Sequence, residues 1–165
     1  MKKTIIILSA FLFSLVLTNK AYSHCEVPCG IYNDELRIEL IKEHIQTIEK
    51  AMNQINEIQS SELINYNQLV RWINTKETHA ELIQEIADQY FLTQRVKFAE
   101  PTDKEKYAKY INQLSYLHQL IVYSMKAKQS IDLNQIENLN DALGKFEIAY
   151  FGENAHRHNL DGEHK

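Results

Sequence analysis

The chain has 165 residues, 44% of them hydrophobic and 24% charged, with 18 basic residues against 22 acidic ones and a formal net charge of −4. That balance argues against nucleic acid, which is bound through clustered positive charge, and offers no electrostatic reason to lie on an anionic membrane. The length suits one domain, large enough to bury a working core without help from staples.

The first 23 residues read as a cleaved signal peptide. Lys2 and Lys3 make a positive start, Ile5 to Leu17 is an apolar run of 13 residues broken only by Ser9 and Ser14, and Ala21-Tyr22-Ser23 offers small residues where signal peptidase reads. A membrane anchor is less favoured, because the apolar run is shorter than the roughly 20 residues that span a bilayer. Cutting after Ser23 removes three lysines and no acids, leaving 142 residues with 15 basic against 22 acidic side chains, or −7. The expectation is export to the periplasm or the outside, with no stable membrane association after cleavage.

Residues 24 to 32, His24-Cys25-Glu26-Val27-Pro28-Cys29-Gly30-Ile31-Tyr32, would then open the mature chain with an amine, an imidazole and two thiols. Two cysteines in an exported protein first suggest a disulfide. A loop enclosing only three residues at a chain end would restrain little of the unfolded ensemble, so a staple is poorly motivated. The C-x-x-x-C spacing lacks the βα context of a thioredoxin-like site, and no C-x-x-C-H attaches haem. As ligands the same groups are better matched. A free α-amine with a reference pKa of about 7.7 to 8.0 loses its proton readily to a cation, and a thiol ionises on coordination. The His24 amine, the Cys25 backbone nitrogen and the Cys25 sulfur can chelate in consecutive small rings. Pro28 and Gly30 provide the reversal that returns Cys29. The result is a planar hook of two nitrogens and two sulfurs, suited to Ni(II) or Cu(II) more than to tetrahedral zinc. Thiolates tend to reduce Cu(II), which favours nickel, and electron-rich sulfur and amide donors stabilise its higher oxidation state, with the His24 imidazole as an axial ligand.

From 33 to 150 the sequence predicts an all-α domain, an antiparallel up-down four-helix bundle. No glycine lies between Gly30 and Gly144, and Pro101 is the only proline there, so the frequent turns of a β fold have nowhere to form. A first helix is expected from Asp34 to Gln59, where Leu36, Leu40, Ile41, Ile45, Ile48, Met52, Ile55 and Ile58 recur at steps of three and four. A second is expected from Ser61 to Phe91 with Leu69, Trp72, Ile73, Leu82, Ile83 and Ile86. A third should start at Thr102, capped by Thr102 with Glu105 reaching back, and use Tyr107, Ile111, Leu114, Leu117, Ile121 and Met125. A fourth, near Asp132, carries Ile136, Leu139, Leu143 and Phe146, with Gly144 weakening it locally. Short connections between long amphipathic helices favour antiparallel neighbours. The tail, 151 to 165, is polar; its His156, His158 and His164 read as a frayed terminus.

The segment HCEVPCGIY resembles the N-terminal nickel hook of the nickel superoxide dismutases, H-C-x-x-P-C-G-x-Y after a processed leader, at all six fixed positions. The resemblance implies conversion of superoxide to dioxygen and hydrogen peroxide, one nickel ion per subunit, and a homohexamer of four-helix subunits. By position, His24 would give amine and imidazole, Cys25 amide and thiolate, and Cys29 the second thiolate, while Tyr32 would screen the open metal face. Arg37-Ile38-Glu39 is similar to a segment early in that family's first helix, after a one-residue shortening, which makes Glu39 a candidate for steadying the His24 ring. His79 falls near where some members carry an arginine with the same task. A solvated glutamate and a satisfied histidine are the plainer readings of these two, and His44 and His118 are read as structural. Tyr90 is a candidate second active-site tyrosine, with Tyr90 and Phe91 as ordinary core the alternative.

Two other classes fit less of the chain. A non-catalytic, exported nickel-binding or metal-delivery protein could use the same hook without consuming superoxide. A di-iron or haem bundle would need paired Glu-x-x-His motifs, and only Glu153 and His156 fit, in the tail.

Overall fold

Asn33 starts the first helix: its side chain accepts the Leu36 backbone N–H at 3.0 Å, satisfying a donor that the first turn leaves open. The computed structural model describes residues 32–152. Within them run α1 (Asp34–Gln59), α2 (Tyr66–Glu85), a π-helical segment (Ile86–Arg95) that continues α2 without a break, α3 (Lys104–Gln129) and α4 (Asn134–Phe151). Consecutive helices are neighbours and α4 returns against α1, closing an all-α four-helix bundle. No helix among the described residues is long and apolar enough to cross a membrane. The leader, the hook residues His24, Cys25 and Cys29, and the tail from Glu153 lie outside the described residues.

The α1 stripe forms as its spacing dictates. Ile38, Ile41, Ile45, Ile48, Met52 and Ile55 are buried, whereas Leu36, in the first turn, remains 44% exposed. α2 begins at Tyr66 and not at Ser61, because Asn65 is the residue that caps it, accepting from the Gln68 N–H at 3.2 Å. The start of α3 also shifts. Asp103, and not Thr102, caps it by accepting the Lys106 N–H at 3.2 Å, and Lys104 is its first residue. On α3, Leu117 is buried as expected, while Ile111 and Met125 are 42% exposed. All four apolar residues expected on α4 are buried, and Gly144 has open space around its Cα.

A lysine takes a core place. Lys76 is 3% exposed, and its ammonium donates to the carbonyls of Ala127 at 2.6 Å and Ser130 at 3.2 Å, and to that of Lys128. These are the carbonyls that the end of α3 leaves without helical partners, so a cation from α2 caps α3 and faces its negative dipole end.

The site end of the core is aromatic. Phe91, fully buried, packs edge-on against Tyr90, Phe146 and Tyr150 with centroid distances of 5.0, 4.9 and 5.5 Å. Replacing Phe91 with Ala leaves a cavity that these rings cannot collapse into. The expected destabilisation is about 3–5 kcal/mol, measured by urea unfolding.

Candidate functional site

Tyr32 is the one residue of the 24–32 segment that the structure describes. Its ring is 40% exposed and meets Tyr90 edge-on, with centroids 6.1 Å apart. The Arg95 guanidinium lies over the Tyr32 ring at 4.3 Å, and that of Arg37 lies over the Tyr90 ring at 4.9 Å. Two cations therefore flank two tyrosines where α1 begins.

These side chains converge on Asp34. Its Oδ1 accepts from Arg95 Nε at 2.8 Å and from the Tyr90 hydroxyl at 2.6 Å. Its Oδ2 accepts from Arg95 Nη2 at 2.8 Å and from the Tyr150 hydroxyl at 2.8 Å. Arg95 binds in the planar, two-pronged fashion that only a guanidinium offers a carboxylate. Burial by itself would raise the Asp34 carboxyl, but the hydrogen bonds from Arg95, Tyr90 and Tyr150 outweigh it and hold the pKa below the ordinary value. Burial, then the hydrogen bond to Asp34 and the Asp34 charge, push the Tyr90 phenol up to about 12, and the same causes raise Tyr150. Both phenols thus remain protonated donors at any physiological pH.

The π-helical winding makes this convergence possible. Val96 N–H donates to the Phe91 carbonyl five residues back at 2.8 Å, and the side chains of Thr93 and Gln94 reach back the same distance to Asp88 and Gln89. Residues five apart come near one face in such a segment, where an α-helix would place residues four apart. Tyr90 and Arg95 consequently reach one carboxylate together. Tyr90 is at once core, at 3% exposed, and part of this network.

The energies rank the contacts. A cation over an exposed ring contributes about 0.5–1 kcal/mol, and a hydrogen bond to a charged group about 1.5–3 kcal/mol. Arg95 is therefore fixed by Asp34, and Tyr32 by Arg95. Arg37 differs: its Nε is buried without a hydrogen-bond partner among the described residues.

The other candidates lie in separate pairings. Glu39 accepts from Lys42 at 2.8 Å, and Lys42 also donates to Glu147 on α4 at 2.9 Å. His79 meets His44 across α1 and α2, with Nδ1 atoms 3.0 Å apart and rings at 69°. One ring must present N–H and the other a lone pair, so the contact requires at least one neutral imidazole. His118 is exposed. Among the described residues no group of three or more His, Cys, Asp or Glu is placed to hold a metal ion. Asp34, Arg95 and Tyr150 were not singled out as site residues by sequence. Asp34 enters there only as the start of the first helix, and nothing in residues 86–95 announces the winding that brings Arg95 to it.

Burial and then the neighbouring His79 lower the His44 pKa below its ordinary 6.5, with Glu43 opposing. Below that value the unfolded chain binds a proton that the folded chain resists, so stability is fully present above about pH 6.5 and falls as pH drops through the depressed folded value. The thermal midpoint should decline from about pH 7 to about pH 5, and His44→Gln should flatten that decline.

A family model described as nickel-containing superoxide dismutase matches residues 19–154. That span takes in the hook segment and the whole of the described bundle. No curated protein and no solved structure matches the chain. A match over most of the length, on a chain with this helical bundle and this N-terminal donor pattern, places the protein among the nickel-containing superoxide dismutases, a family of oxidoreductases to which it belongs.

Proposed function

We propose that the chain is exported, that signal peptidase cuts after Ser23, and that the new N-terminus holds one nickel ion per subunit of a homohexamer. The ligands are the amine and imidazole of His24, the backbone nitrogen and thiolate of Cys25, and the thiolate of Cys29. The reaction is disproportionation: one superoxide gives up an electron and leaves as dioxygen, and a second takes up an electron and two protons to become hydrogen peroxide.

The donor chemistry fits the metal. The two thiolates of Cys25 and Cys29, the amine and imidazole of His24 and the Cys25 backbone nitrogen are electron-rich donors that would suit nickel and its higher oxidation state. Nickel so held supplies one-electron oxidation and reduction in a range that the aqueous ion does not reach. The observation that carries the reading is the family match over residues 19–154, which includes His24, Cys25 and Cys29.

The remaining work falls to the protein. Tyr32, three residues past Cys29, is the side chain to limit access to the metal to small anions and water. Its neighbour Tyr90, with a phenol pushed up to about 12, is a hydrogen-bond donor and not a proton source. The chain is acidic and its substrate an anion, so attraction needs a local positive field. Arg95 is largely neutralised by Asp34 at 2.8 Å, which leaves Arg37, beside Tyr90 and without an ion pair among the described residues, as the side chain to supply that field.

Two outcomes follow. Adding one alanine ahead of His24 moves the amine off the metal, and activity should fall at least about 100-fold in a superoxide-consumption assay. Full activity in the extended protein contradicts the amine ligand, and nickel bound with no turnover in the unextended protein identifies a carrier instead. Arg37→Gln should lower kcat/KM about 3- to 10-fold at low ionic strength, with the difference shrinking as salt is added.

A further inference from the structure

A carboxylate at the first position of a helix does its local work with the open backbone donors and the dipole of that helix. Asp34 instead receives four side-chain hydrogen bonds, two from Arg95 and one each from Tyr90 and Tyr150, so that the end of the π-helical segment and the end of α4 are tied to the first turn of α1. The Asp34 side chain is 16% exposed and that of Arg95 27%, so the pair is partly withdrawn from water. Tyr32, two residues earlier, makes its ring contacts with Arg95 and Tyr90, the same two side chains that Asp34 holds. Among the described residues the orientation of Tyr32 is therefore set at second hand, by a carboxylate that does not touch it.

We propose that Asp34 is a positioning residue for the dismutation, holding Arg95 and Tyr90 in place so that the Tyr32 ring keeps a single orientation beside the reacting anion. This assignment rests on the nickel site proposed above and on Tyr32 as its screen. Asp34→Asn keeps the shape but removes the charge and one acceptor, so Arg95 loses its two-pronged partner and is released from the Tyr32 face. A screening group displaced by a fraction of an ångström costs rate without costing metal, since no hook ligand has changed.

The test uses the processed, nickel-loaded protein in four forms: wild type, Asp34→Asn, Tyr32→Ala and the double variant. The expected result is wild-type nickel content in all four, a loss of about 10-fold in kcat/KM for Asp34→Asn, and less than about 2-fold further loss when Asp34→Asn is added to Tyr32→Ala. An absorbance titration of the phenols supplies a readout apart from activity: the Tyr90 phenol, pushed up to about 12 by burial and by the Asp34 hydrogen bond and charge, should titrate at lower pH in Asp34→Asn than in the wild type. Should Asp34→Asn fail to fold, Arg95→Lys keeps the ion pair, removes the planar group over Tyr32, and should give the same coupling to Tyr32→Ala. Additive losses, or wild-type rates in Asp34→Asn and Arg95→Lys, overturn the role of Asp34. Absence of turnover or of nickel in the wild type overturns the nickel site itself, and the two failures are told apart by the wild-type control.

Discussion

The Asp34 carboxylate is the constraint on which the site end of the molecule depends. It stands where the chain enters the bundle, and its four hydrogen bonds join α1, the π-helical segment and α4 at one point. Hydrogen bonds to charged groups contribute about 1.5–3 kcal/mol each, whereas an exposed pair such as Lys106–Asp103 is screened by water and adds little. Beneath it, Phe91, Phe146 and Tyr150 supply a close-packed apolar floor that keeps the network partly dry and its partners in register. A partly buried carboxylate is tolerated here because the guanidinium and two phenols replace the water it gives up.

The bundle was largely legible in the sequence, for a physical reason. The isoleucines of α1 fall at helical steps, and burying them requires helices on either side. The α4 residues Ile136, Leu139, Leu143 and Phe146 are buried on the same logic. Where expectation and structure differ, a local polar choice decides: Asn65 and Asp103 cap their helices more effectively than the residues upstream, and the ends shift accordingly. Lys76 was illegible as core, because only the folded chain places the carbonyls of Ala127 and Ser130 within its reach.

The site divides in the same way. His24, Cys25 and Cys29, which lie outside the described residues, stand out in the sequence by chemistry and spacing alone, since the hook proposed for them is a short-range object written in nearly consecutive residues. Tyr32 follows from the same segment. Its supports do not, because Arg95 and Tyr150 are far away in sequence and reach Asp34 only through a π-helical register and the return of α4. Glu39 and His79 each have a partner among the described residues, Lys42 and His44, and the ring of His24 that they were expected to steady lies outside those residues. The winding of residues 86–95 is the element that turns an ordinary bundle helix into a support for the site, in keeping with the frequent occurrence of such segments near functional residues.

A nitrogen and sulfur hook created by proteolysis is the centre of the account, and intact mass with metal analysis and superoxide turnover, measured on the protein purified from the exported fraction, tests it most directly. A chain of 142 residues beginning at His24, carrying one nickel ion and consuming superoxide rapidly, is the predicted result. A fully active protein that begins at another residue, or one whose two cysteines are bonded to each other while activity is complete, would contradict it.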